Sequence, residues 1–80
     1  MPTVFRHLGY RFFFYSNEGD PREPVHIHVM GGGGEAKIRL FPEPAVCSSH
    51  GYDARALREL LLVVEKRSEI IERAWNEFFS

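Results

Sequence analysis

The segment that most constrains the fold is Val25–Val29, where apolar residues alternate with histidines. In an extended strand, neighbouring side chains point to opposite faces. His26 and His28 therefore share one face, and the three apolar residues share the other. At a rise of about 3.3 Å per residue, the two imidazoles stand about 7 Å apart along the strand. The pattern predicts a sheet with one core face and one polar face.

The segment Glu35–Leu40 alternates in the same way and is predicted to be the neighbouring strand. Glu35, Lys37 and Arg39 fall on its polar face. The four glycines Gly31–Gly34 form a flexible connection between the two strands, as in a hairpin. This hairpin would gather histidines, a carboxylate and cations on one face of the sheet.

Two further strands are predicted upstream, Thr3–His7 and Tyr10–Tyr15, with a tight turn between them. The second strand is almost continuously aromatic. Its even-numbered residues are assigned to the core: Tyr10, Phe12 and Phe14. Arg11, Phe13 and Tyr15 are then expected on the polar face, near the histidines.

Two segments are predicted to lack regular structure. Ser16–Pro24 is dense in turn-forming residues and carries Glu18 and Asp20, whose charges we expect to be mostly solvated. Ala45–Tyr52 follows two prolines and shows no alternation, so we interpret it as irregular.

The C-terminal third is helical in period, with Asp53 as the predicted N-cap. One helix from there to Phe79 would be about 40 Å long. A domain of this size is only about 30 Å across. Either the helix breaks near Arg67, with Ser68 capping a second piece, or one end projects onto a partner, and we favour the break.

The apolar stripe of this helix predicts which of its side chains are buried. Trp75 and Phe78 lie on the stripe and are expected in the core. Leu62 and Phe79 lie off it and are candidates for an exposed contact with a partner.

The predicted fold is thus α+β and forms a single domain over residues 1–80. A small antiparallel four-stranded β-meander is followed by a long, kinked C-terminal helix packed on one sheet face.

Composition excludes some classes of function. A net charge of −1 gives no general attraction to nucleic acid or membranes, so any RNA contact must be local. The single cysteine, Cys47, fits a reducing compartment. No apolar run approaches the roughly 20 residues of a membrane span. These features predict a cytoplasmic protein without membrane contact.

A metal site is one interpretation of the polar face. His-x-His supplies two ligands, whereas a zinc site needs three or four. Four residues could complete the site only if their loops fold back: Glu18, Asp20, Glu35 and His50. We expect no metal and no cofactor, and added zinc to make no difference.

Metal-independent RNA cleavage is a second interpretation, because it needs a base, an acid and a cation for the phosphate. The candidate catalytic residues are His26, His28, Glu35 and Lys37. The candidate substrate-binding residues are Arg11, Tyr15, Glu18 and Arg39. A third interpretation is a solvated sheet face without catalytic function.

The stretch Gly9–Val29 contains Ser-Asn-Glu-Gly-Asp-Pro and then Pro-x-His-x-His-Val, and Gly-Glu-Ala-Lys follows at Gly34–Lys37. With the Trp-Asn-Glu-Phe-Phe ending, the chain resembles the domain of unknown function 4160 family along nearly its whole length. It departs from the family pattern at Asp53, where serine is common, and at Met30, where a basic residue is frequent. The second departure removes a charge from the polar face.

The resemblance implies a bacterial protein whose cognate protein partner is encoded next door, in a toxin–antitoxin-like module. One expectation is a toxin half that acts on RNA through the polar face. The alternative is a non-catalytic antitoxin, regulatory module or adaptor, which the near-neutral charge favours. In either case we expect a hetero-complex or a homodimer that uses the C-terminal helix.

Overall fold

The computed structural model describes residues 3–18 and 23–79, and within them the alternating segments form one antiparallel sheet. Its five strands lie side by side in chain order: β1 (Thr3–His7), β2 (Tyr10–Phe13), β3 (His26–Gly31), β4 (Gly34–Arg39) and β5 (Ala45–His50). Two helices follow, α1 (Ala54–Lys66) and α2 (Ser68–Phe78). The predicted α+β class is confirmed.

The prediction of four strands is wrong, because β5 occupies most of the segment expected to be irregular. It pairs with β4, which places Ser48 opposite Lys37 and His50 opposite Glu35. β5 lies at the edge of the sheet, and its residues from Cys47 to His50 are exposed. An exposed edge strand has no need of alternating apolar residues, so the sequence carries no alternation signal there.

The glycine connection is a tight hairpin. Gly32 and Gly33 have φ of 62° and 81°, and positive φ at both central residues is what a type I′ turn requires. The Tyr52 hydroxyl lies 2.6 Å from the carbonyl oxygen of Gly31 and 2.9 Å from that of Gly34, and the two oxygens share its one proton. A Cβ at Gly34 would lie 2.6 Å from the Tyr52 ring, so this position needs glycine. The turn therefore fixes the register of β3 against β4.

The helical predictions are confirmed except for one cap. The Asp53 carboxylate accepts a hydrogen bond from the Ala56 backbone N–H at 2.8 Å. The helix breaks at Arg67 (φ −110°, ψ 18°), which is itself the N-cap of α2 and makes no side-chain capping bond. Ser68 is therefore not the cap. The longest dimension of the fold is 34 Å, which agrees with the length argument for a break.

The helices pack on one sheet face and enclose the core. Its buried members are Phe12, Phe14, Ile27, Val29, Ile38, Leu40, Leu60, Val64, Ile71 and Trp75. Burial of Trp75 and exposure of Leu62 are confirmed. Within the described residues, neither helix is long and apolar enough to cross a bilayer.

The assignment of the last two phenylalanines is reversed. Phe78 is 44% exposed, whereas the Phe79 ring lies 4.3 Å from that of Trp75 and packs against the core. Phe79 is the C-cap residue, one position beyond α2. The helical period therefore no longer determines the direction of its side chain.

Two adjacent isoleucines of α2 test this packing. Ile71 is fully buried and Ile70 is 53% exposed. We expect Ile71→Ala to lower the free energy of unfolding by about 2–5 kcal/mol, because it leaves a cavity in the core. Ile70→Ala should change it by no more than about 1 kcal/mol. Urea unfolding measures both, and equal losses would contradict the packing described here.

Candidate functional site

A cleft opens on the polar face of the sheet, where β2, β3, β4 and β5 are neighbours. Its volume is about 360 Å³. The side chains that matter for chemistry in this polar cleft are Tyr15, His28, Glu35, Lys37, Ser48 and His50. Strand register explains their proximity, since His28 lies opposite Lys37 and Glu35 lies opposite His50.

A buried carboxylate lies behind the cleft. Glu18 is only 7% exposed, and its Oε2 lies 2.6 Å from Nε2 of His26 and 2.6 Å from Nε2 of His28. The expectation that the loop charges are mostly solvated is wrong for this residue. One carboxylate oxygen joins both histidines of the His-x-His strand.

The chain holds Glu18 in place by a short 3-10 helix, Ser16–Glu18, that follows β2. The Glu18 backbone N–H donates to the Tyr15 carbonyl at 3.3 Å. The carboxylate then turns back, and its Oε1 accepts from the Tyr15 backbone N–H at 3.1 Å. With Oε1 held by the backbone, Oε2 is the oxygen presented to the histidines.

His26 is buried rather than turned to solvent, and its predicted outward position is wrong. It is 2% exposed, and its ring lies 5.0 Å from the Trp75 ring. Its Nδ1 lies 2.8 Å from the Pro24 carbonyl oxygen. Strand alternation predicts the direction of a side chain but not what covers it, and here Glu18 and Trp75 cover the imidazole.

His28 connects the buried carboxylate to the polar cleft. Its side chain is 16% exposed and lines the cleft. The rings of Tyr15 and Phe13 lie 4.6 Å and 5.7 Å from its imidazole. This confirms the predicted association of Phe13 and Tyr15 with the histidine face. The described residues offer Nδ1 of His28 no hydrogen-bond partner, so this nitrogen is available to a ligand.

Burial and close polar contacts set the charges of this group. Burial alone would raise the pKa of Glu18, but the hydrogen bonds with His26 and His28 and the Tyr15 N–H outweigh it. The pKa of Glu18 therefore lies below its ordinary value. Burial lowers the pKa of His28, and the nearby Glu18 carboxylate offsets only part of the effect. The surroundings therefore favour the ionised form of Glu18 and the neutral form of His28.

Comparison with known proteins identifies the family. The profile described as Domain of unknown function (DUF4160) matches residues 9–76. The chain belongs to the DUF4160 family. No curated protein and no solved structure matches it.

Four candidate residues of this DUF4160 chain do not line the polar cleft: Glu18 and His26, which lie behind it, and Arg11 and Arg39. The Arg11 Nε donates to the Thr3 hydroxyl at 2.6 Å, and its guanidinium lies 4.6 Å from the Phe13 ring centre. Arg39 is exposed on β4, opposite His26. Their contacts with a substrate remain predictions. Asp20 lies outside the described residues.

Sequence reasoning placed Glu35, Lys37 and Tyr15 near His28, and the structure brings these four side chains together. It did not place Ser48, Ser49 and His50 in the cleft, because β5 was not predicted. Strand propensity in Ala45–His50 is too weak to have found them. From the sequence, His50 is a candidate only as a metal ligand.

Two glutamates of similar chemistry but different burial test the role of Glu18. Glu18→Gln keeps the side-chain volume but replaces the charged oxygen with a neutral amide. In metal-free buffer we expect it to lower the free energy of unfolding by roughly 1.5–3 kcal/mol, the contribution typical of hydrogen bonds to charged groups. Glu35→Gln, at an exposed site, should change it by no more than about 0.5 kcal/mol. Urea denaturation that gives the same value for both would contradict the buried cluster.

Proposed function

We propose that this protein is the toxin half of a two-gene toxin–antitoxin-like module and that it cleaves RNA in the polar cleft. The observation that carries the proposal is that His28, Lys37 and His50 line one cleft, with the buried carboxylate of Glu18 in contact with the first. Two imidazoles, each able to accept or donate a proton, and one cation are thereby available to a single phosphodiester.

The chemistry requires no group beyond these side chains. The RNA 2′-oxygen attacks the neighbouring phosphorus and the bond from phosphorus to the 5′-oxygen breaks, which leaves a 2′,3′-cyclic phosphate. One imidazole accepts the 2′-hydroxyl proton and the other donates a proton to the leaving 5′-oxygen. We assign these two roles to His28 and His50, and charge stabilisation on the phosphate to Lys37.

Other cleft residues support binding. The Tyr15 and Phe13 rings beside His28 form an aromatic wall on which a nucleotide base can stack. The Ser48 hydroxyl, opposite Lys37 in the register, supplies a hydrogen-bond donor for phosphate or sugar oxygens. Glu35, opposite His50 in the register, can orient that imidazole.

We propose that the cognate protein encoded next door binds the helical side of this chain in the cytoplasm. Three large apolar side chains of α1 and α2 are exposed there: Leu62, Ile70 and Phe78. Apolar exposure of this kind is typical of a contact surface. A homodimer is the alternative use of the same side chains.

A non-catalytic binding module is the second candidate, and two observations favour it. The net charge of −1 is low for a protein that acts on RNA. Lys37 also has a partner already, since its Nζ lies 3.5 Å from Oε1 of Glu23. In this candidate the polar cleft binds a ligand, and no bond in the ligand is broken.

Two cations of β4 provide a matched test. Lys37 lines the polar cleft and Arg39, two residues on, does not. We expect purified protein to cleave a labelled RNA oligonucleotide, and Lys37→Ala to slow cleavage about 100-fold, as the loss of a charge-stabilising donor does. His50→Ala should slow it by a similar factor. Arg39→Ala removes the same charge outside the cleft and should have a much smaller effect.

Growth after induced expression provides the same comparison in cells. The wild-type protein should arrest growth, and coexpression of the neighbouring gene should relieve the arrest. RNA that remains intact with purified wild-type protein, together with normal growth, would favour the binding module. If Lys37→Ala and Arg39→Ala reduced RNA cleavage equally, the polar cleft would not be the site of cleavage.

A further inference from the structure

The three side chains behind the polar cleft bring their ligand atoms together. Each offers one ligand atom, and the three atoms lie within 4.8 Å of one another. Oε2 of Glu18 lies 2.6 Å from Nε2 of each histidine. Within residues 3–18 and 23–79, this is the one group of histidine, cysteine or acidic side chains so arranged. Two of its members are buried and the third is half-buried. The His-x-His strand supplies two ligands, and the 3-10 helix supplies Glu18, one of the four residues expected to complete a site only if their loops fold back.

The hydrogen bond of His26 determines which of its nitrogens carries the proton. Nδ1 lies 2.8 Å from the Pro24 carbonyl oxygen, which can only accept, so Nδ1 must be the donor. In a neutral imidazole, Nε2 then carries a lone pair, and that lone pair is 2.6 Å from a Glu18 carboxylate oxygen. Two acceptors at this distance repel each other, so the contact is favourable only with a positive species between them, either a proton on Nε2 that makes a hydrogen bond or a metal ion in its place.

A metal ion meets this requirement with familiar chemistry. Imidazole ligands of metals commonly donate their other N–H to a backbone carbonyl, as His26 does to Pro24. Glu18 is prepared as a ligand through one oxygen, because the Tyr15 N–H holds the other. Two imidazoles and one carboxylate are a set that binds zinc, with a fourth position left for water or substrate.

We propose that Glu18, His26 and His28 form a site for a divalent transition-metal ion, preferentially zinc, through Oε2 and the two Nε2 atoms. Ligand bonds of about 2.0–2.2 Å in a tetrahedral site place ligand atoms roughly 3.4 Å apart. Binding therefore widens the two 2.6 Å contacts by less than about 1 Å, within reach of small side-chain rotations. This replaces the expectation that zinc makes no difference.

The inference goes beyond the proposed function and does not depend on it. A metal bound to His28 Nε2 leaves the one ring proton on Nδ1, which is the nitrogen available to the cleft. The metal site itself exists whether or not RNA is cleaved.

The experiment uses the full chain, purified without a histidine tag and freed of metal by a chelator. Zinc is then titrated against a chromophoric competitor, and zinc content is measured by mass spectrometry. We expect one tightly bound zinc ion per chain and a higher melting temperature with zinc. His28→Gln, which removes a half-buried ligand, should weaken zinc affinity at least about 100-fold. His7→Gln, a histidine on β1 away from the site, should leave it unchanged.

Wild-type protein that takes up no zinc and shows no change in melting temperature would overturn the site. Equal zinc affinity in His28→Gln and the wild type would do the same, because the metal would then be bound elsewhere.

If His28→Gln does not fold, X-ray absorption at the zinc edge of the wild-type protein identifies the ligand atoms instead. Two imidazoles with further oxygen neighbours support the site, and a sulfur neighbour from Cys47 overturns it. Wild-type protein that cleaves RNA but binds no zinc would overturn this inference alone. Wild-type protein that binds zinc but leaves RNA intact would overturn the proposed function alone.

Discussion

The contact of one Glu18 carboxylate oxygen with two imidazoles is the interaction on which the functional side of this protein depends. A carboxylate that is 7% exposed is unfavourable unless it has partners, and it finds them in His26, His28 and the Tyr15 N–H. The contact ties the segment after β2 to strand β3. It also makes His28 the link between a buried polar cluster and an open cleft.

The rest of the fold positions this contact. One sheet face packs against α1 and α2, so the alternation of β3 and β4 is fixed and their polar residues must point to the other face. The tight turn at Gly32 and Gly33, held by Tyr52, sets the pairing that brings His28 opposite Lys37. Strand β5 then closes the far side of the cleft with His50.

Sequence reasoning could predict what depends on local periodicity. The faces of β2, β3 and β4, the cap at Asp53 and the helix break near Arg67 all follow from spacing and chain length. It could not predict contacts made across the fold. Glu18 sits among turn-forming residues, where an acidic side chain is usually solvated, and only the path of the chain brings it under β3. Likewise, β5 is an edge strand that needs no apolar alternation, so His50 was not placed in the cleft.

The most direct measurement of the central claim is the tautomer of each histidine by long-range proton–nitrogen NMR at neutral pH. We expect His26 in a single state with the proton on Nδ1 in slow exchange with water, because that nitrogen donates to Pro24. His28 should likewise show a single tautomer, because its Nε2 is held by Glu18 or by a metal ion. Rapid averaging of tautomers at both residues, as in an exposed imidazole, would contradict the buried cluster and the functions built on it.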